Sequence, residues 1–137
     1  MPINALVDNT SLAPHVALVL FNAGTVRAAI EAHHILSMSD SPTTSRAASA
    51  DALLLGMRGV PAPTHWLTLQ DSNGFWQLGV TGNVVLSRLS TTVLFPLPPL
   101  LAARHASPAL CGLARHNKTF LLLFDGSMLT PELATQP

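Results

Sequence analysis

An unbroken run of large apolar side chains, Phe120-Leu-Leu-Leu-Phe124, lies near the end of the chain, directly after a tight polar turn at Asn117-Lys118. Successive side chains on a strand point to opposite faces, so such a run is stable only where both faces are covered. With the short segment from Leu110 to Arg115 before the turn, it predicts a terminal β-hairpin inside a small β domain. Asp125-Gly-Ser-Met-Leu129 predicts a short closing turn, in which the Asp125 carboxylate accepts backbone N–H groups from Ser127 or Met128.

The rest of the chain is read around that ending. His15 to Phe21 is β-branched and apolar, Asn22-Ala-Gly24 tolerates a turn, and Thr25 to Ile30 returns as a second strand. Glu31 to Leu36 suits a single helical turn. Residues 37–50 are small and hydroxyl-rich, which predicts a flexible surface loop. Asp51 is placed to cap a short apolar turn through Met57, and Arg58-Gly-Val-Pro-Ala-Pro63 breaks regular structure. His65 to Gln70 and Phe75 to Val80 form a hairpin across Asp71-Ser-Asn-Gly74; Thr81-Gly-Asn83 punctuates, and Val84 to Ser90 is a further strand. The prolines of Phe95 to Leu100 fix an extended connector that has no place in a central strand, and Leu100 to Arg104 is read as one helical turn. Six or seven short strands with almost no long helix predict an all-β chain, a small barrel or a pair of them.

Composition narrows the partners. The 137 residues are 48% apolar and only 10% charged, with seven basic residues against seven acidic ones. A neutral chain lacks the cationic excess that supplies most nucleic-acid affinity, so no nucleic-acid partner is expected, and near-zero net charge favours association with other proteins. The single cysteine, Cys111, excludes an internal disulfide framework. The opening residues 1–14 read as a flexible lead without a signal peptide, and no apolar run reaches the ~18 residues of a spanning helix. A soluble, cytoplasmic protein without membrane insertion is the expectation.

No catalytic, cofactor or metal site is expected. His33-His34 are adjacent and diverge on either a helix or a strand, and the other histidines are scattered, without ligand spacing. Cys111, in an apolar segment, reads as a core thiol rather than a nucleophile. Trp66 and Trp76 are expected to form a cross-strand pair. Arg58, Phe95 and Leu97 stand on irregular segments, where arginine and large apolar side chains often serve as contact residues, and these three are the candidate partner-binding residues.

Three stretches, in order, carry a resemblance to the CheW-like domain, a coupling module of bacterial chemosensory arrays. The stretch from Val19-Leu-Phe-Asn-Ala-Gly24 to Ile35-Leu-Ser-Met38 resembles that family's first hairpin. The stretch from Trp66 to Leu86 resembles its middle hairpin, and Gly112 to Leu129 its ending. The resemblance implies two small SH3-like β-barrel subdomains around a shared apolar core, in one domain from residue 15 to 133 with a short tail at 134–137. It also implies a non-enzymatic adaptor, with a CheA-type histidine kinase and a chemoreceptor cytoplasmic tip as partners, located at membrane-associated receptor arrays. Like-folded modules would dock edge to edge, and the groove between barrels would take a receptor helix. The family's Arg-Gly-x-x-x-Pro-x-x-Asp-Leu segment is shortened here. Either Gly56-Met-Arg58-Gly59-Val-Pro61 is its remnant, or Ala50 to Gly56 stands for the Asp-Leu part; the spacing does not satisfy both. Thr81 also replaces an expected acidic residue, so the first barrel is expected to be incomplete. The alternative is a generic β-barrel interaction module, homodimeric through an unpaired strand edge.

Overall fold

The computed structural model describes residues 14–55, 62–98 and 108–132. Arg58 with its flanking Gly59 and Pro61, the turn expected at Leu100–Arg104, the N-terminal lead before Pro14 and the tail at 134–137 lie outside the described residues. The first strand, β1 (His15–Ala23), turns at Gly24-Thr25 and returns as β2 (Val26–Glu31). A 3₁₀ turn, Ala32–His34, leads to β3 (Ser37–Ser39). Next come β4 (Ala47–Ser49) and the short helix α1 (Ala50–Leu55). The hairpin β5 (His65–Asp71) and β6 (Gly74–Ser90) follows, then β7 (Leu94–Pro96), β8 (Leu110–His116) and β9 (Thr119–Phe124).

The strands run in the order β3-β5-β6-β1-β2-β9-β8-β7, with β4 also beside β6. β6 organises this arrangement. Its first half, Gly74 to Val80, pairs with β5, and its second half, Thr81 to Ser90, pairs with β1. The expected break at Thr81-Gly-Asn83 is therefore a bend within one 17-residue strand. Gly82 takes φ +74° there, and the β1–β6 register shifts between Leu20 and Asn22, the signature of a bulge that turns a strand without ending it. Arg27 holds the bend, its Nη1 donating to Asn22 Oδ1 at 2.9 Å and to the Asn83 carbonyl at 2.8 Å.

Two lobes result. The first comprises β3, β4, β5 and the leading half of β6; two of these strands are only three residues long. In the second, the order β6-β1-β2-β9-β8-β7 begins and ends on strands joined by the single 3₁₀ turn Thr91–Val93, so the sheet curls back on itself. The chain is all-β in architecture, with two barrel-like halves around apolar cores.

Apolar runs in the sequence become the wall between the two cores. On β1, Val19 and Phe21 face one buried cluster, while Leu18 and Leu20 face the other. On β2, Ala28 and Ile30 face the first and Ala29 the second. β9 does the same: Phe124 and Leu122 pack on the first cluster, Leu121 and Leu123 on the second. The sequence expectation that this strand is covered on both faces therefore holds from Leu121 to Phe124. It fails at Phe120, which remains 59% exposed beyond the edge of both cores. Trp76, Leu67, Leu69, Leu78 and Leu54 fill the first cluster from β5, β6 and α1. Each such fully buried side chain contributes roughly 2 kcal/mol.

Several local readings change. Residues 37–50 hold two strands, not an unstructured loop. Gln77, 1% exposed, organises them: its Oε1 accepts the Thr43 N–H at 2.7 Å, and its Nε2 donates to Thr68 Oγ1 at 3.1 Å and Ser39 Oγ at 3.3 Å. Arg46, just before β4, forks onto Asp71 at 2.8 and 3.1 Å and reaches Glu132 at 2.9 Å, tying the first lobe to the closing turn. Hydrogen bonding from Arg46 is the main reason the Asp71 carboxyl falls to a pKa of about 2. Ser49, not Asp51, accepts an N–H at the start of α1, that of Ala52. Asp51 is 5% exposed and accepts the Gly24 N–H at 2.9 Å, fastening the helix to the β1–β2 turn. The β5–β6 register sets Trp66 opposite Gly79 and Trp76 opposite Leu69, so the two indoles are not a cross-strand pair. Cys111 is exposed rather than buried, because the β8–β9 register shifts between Leu110 and Gly112 and leaves it outside the core. Its thiol donates to the Leu123 carbonyl at 3.4 Å.

The terminal hairpin has the geometry its sequence demands. Asn117 and Lys118 take φ +50° and +68°, as a two-residue hairpin turn requires. Asp125 Oδ1 accepts the Ser127 N–H at 2.9 Å and caps the 3₁₀ turn Gly126–Met128. Pro96 ends β7, which lies at the edge of the strand order, where its missing N–H costs no ladder bond.

Candidate interaction groove between the lobes

An apolar surface cleft lies where the two lobes meet, and local backbone geometry places each of its side chains. The 3₁₀ turn after β2 closes with the Ile35 N–H donating to the Ala32 carbonyl at 3.0 Å, and the chain leaves it extended. The Leu36 N–H then donates to the Thr68 carbonyl at 2.8 Å, which lays residues 36–39 along β5. Alternation puts Leu36 and Met38 on one face, and both are 53% exposed. On the facing wall, Val84 and Leu86 of β6 share a face by the same period, and Leu86 is 67% exposed. Leu86 sits opposite Val19 in the β1–β6 register.

These walls stand over a floor of Val19 and Leu67, which are 9% and 1% exposed. The cleft measures about 280 Å³ and opens to solvent. Among the described residues, none of those lining it is ionisable. It has no group to move a proton or hold an ion; what it offers is apolar area on a preformed shape. An exposed apolar cleft of this kind is a candidate site of protein contact.

Phe95 and Leu97 lie elsewhere. Phe95 is on β7, opposite Leu113 of β8, and is 39% exposed; Leu97 follows it and is half-buried. β7 ends the strand order at the pole opposite β3, so the structure brings these two to one sheet edge but not to the groove. The groove residues left a signal in the sequence: Leu36-Ser-Met38-Ser39 alternates as a strand does, and Val84-Val-Leu86 puts apolar side chains on both faces of a strand with few neighbours.

The adjacent pair His33 and His34 sits beside the carboxylates of Glu31 and Asp125. His33 Nε2 lies 3.3 Å from Glu31 Oε2, His34 Nε2 lies 3.9 Å from Asp125 Oδ1, and the two rings are 4.1 Å apart. Among the described residues no group of three or more His, Cys, Asp or Glu side chains is disposed to hold a metal ion. No helix among them is long and apolar enough to cross a membrane.

No known protein family matches the sequence. No curated protein matches it either. The fold does match solved structures. The scaffolding protein TtCheW from Thermoanaerobacter tengcongensis superposes with a TM-score of 0.62 at 8% sequence identity, over 80% of this chain and 88% of that one. At that identity the likeness establishes architecture and nothing finer. Two β lobes joined through one long strand, with the first and last hairpins forming the wall between their cores, give this chain the CheW-like fold.

Proposed function

We propose that the protein is a non-enzymatic scaffold of the chemosensory type, which couples receptors to a CheA-type histidine kinase. The observation that carries this reading is the groove between the lobes, apolar and without an ionisable group, in a CheW-like fold. An amphipathic helix docks in such a groove through apolar side chains at i, i+3 or i+4 and i+7, and a chemoreceptor cytoplasmic tip presents a helix of that kind. Leu36, Met38 and Leu86 are its proposed contacts. Phe95 and Leu97 at the β7 edge, with Arg58, are proposed contacts for the like-folded module of the kinase. This reading carries a cytoplasmic location at membrane-associated arrays.

A second reading is favoured by one observation. Among the described residues, β6 from Thr81 to Ser90 pairs only with β1, and Val85 on that stretch is 43% exposed. An edge of this kind recruits another strand, and a second copy of the chain would supply one. Pull-down against a receptor tip and the kinase regulatory domain, beside light scattering of the protein alone, separates the two. Capture of either partner by a monomer supports the scaffold; a stable homodimer that captures neither supports the module.

A further inference from the structure

A second concavity opens at the end of the second lobe, away from the groove. Its floor is the exposed end of that lobe's core: Leu18, Ala29 and Leu123, from β1, β2 and β9. Its volume is about 200 Å³. An engineered apolar cavity of about 150 Å³ is large enough to take benzene.

The rim differs from the floor. Glu31 at the end of β2 and Asp125 after β9 stand on it with His34 and the Cys111 thiol. Among the described residues no lysine or arginine lines the pocket. The carboxylates keep open acceptor capacity: their side chains are 55% and 41% exposed, and each contacts a histidine at 3.3 Å or more. On Asp125 it is Oδ1 that the Ser127 N–H and hydroxyl occupy, at 2.9 and 2.6 Å. Their field reaches the mouth. The Cys111 thiol is pushed above its ordinary pKa first by partial desolvation and then by the negative charges of Asp125 and Glu31. An anion entering this mouth meets repulsion. A neutral apolar molecule strips water from the carboxylates without replacing it. An ammonium group satisfies them while an attached apolar arm fills the floor.

We propose that this pocket binds a small organic amine, with its ammonium between Glu31 and Asp125 and one apolar arm of about benzyl size on Leu18, Ala29 and Leu123. The site is independent of the groove between the lobes, and its ligand does not depend on the scaffold reading.

The test titrates the full chain with phenethylamine, phenethyl alcohol and phenylacetate, three ligands of the same ring and different charge, followed by backbone amide NMR. The amine should shift the amides of Leu18, Ala29, Glu31 and Leu123 saturably. It should bind about tenfold tighter than the alcohol, the worth of one charge-assisted hydrogen bond. Phenylacetate should bind weakest. The double variant Glu31→Gln with Asp125→Asn keeps an acceptor for the Ser127 N–H and should bring amine and alcohol to within about twofold of each other. If that variant does not fold, the comparison of the three ligands on the wild-type chain decides alone. Equal affinity for all three, shifts confined to other surfaces, or no saturable shift overturns the proposal.

Discussion

Replacing Asp51 by alanine tests how the first lobe's helix is joined to the rest of the molecule. The carboxylate is 5% exposed, and its Oδ1 accepts the Gly24 N–H at 2.9 Å across 27 residues of sequence. A hydrogen bond to a charged group contributes about 1.5–3 kcal/mol. Gly24 is half-buried, so water partly replaces the lost acceptor, and a cost of about 2 kcal/mol follows for Asp51→Ala. For a chain of this size, at about 4 °C per kcal/mol, that lowers Tm by about 8 °C. Asp51→Asn keeps an acceptor oxygen and gives up only the charge, so it should cost about half as much. Urea or thermal unfolding followed by the fluorescence of Trp76, fully buried in the first cluster, reads both variants. If Asp51 acted only through its charge in the first turn of α1, the two substitutions would cost nearly the same, at most about 1 kcal/mol. Equal losses, or an alanine variant as stable as wild type, would refute the long-range staple.

Three further outcomes follow from particular contacts. Asp71, paired with Arg46, has its carboxyl pKa lowered from 3.8 to about 2, so the pair's stabilisation is complete above about pH 4 and is lost as the pH falls through about 2. Arg46 also reaches Glu132, whose carboxyl is lowered from 4.5 by hydrogen bonds from Thr130 and Arg46. The stability gap between wild type and Arg46→Gln, measured by urea titration, should therefore stay constant above about pH 5 and close as the pH falls from there through about 2. A Cβ at Gly79 would come within 2.6 Å of Pro63 Cγ and 2.8 Å of Trp66 Cζ3, so Gly79→Ala should cost about 1–3 kcal/mol in the same assay. Leu121, 1% exposed in the second lobe's cluster, should cost about 2–5 kcal/mol when cut to alanine, whereas Phe120→Ala next to it should change stability by less than about 1 kcal/mol.

How much of this was legible beforehand depends on which interactions set each element. The hairpins were readable because their determinants are local: Asn117-Lys118 sits in the one turn that joins β8 to β9, and the apolar runs of β1 and β9 demand cover on both faces. Residues 37–50 were not, because their order comes from Gln77 and Asp71, which lie far away in sequence and reach the segment only once β6 is in place. The same cause hid the groove. Leu36 and Met38 become a strand face only because β5 supplies hydrogen-bond partners at Thr68 and Leu67. Asp51 reads locally as a helix cap, and nothing near it in sequence reveals the Gly24 amide. For Cys111 a register shift, not the alternation of its apolar neighbours, decides which way it faces, and that shift has no local signal in the sequence.

The proposed scaffold role requires that the groove between the lobes receive a receptor helix. The direct measurement is a fluorescence-anisotropy titration of a labelled chemoreceptor-tip helical hairpin with wild type and with Leu86→Glu. Leu86 is 67% exposed, so the substitution should leave Tm unchanged. Saturable binding by wild type and a loss of about 2 kcal/mol or more in the variant, the scale of an interface hot spot, are expected. Wild-type protein that does not bind the tip, or binding that Leu86→Glu leaves intact, would contradict that role.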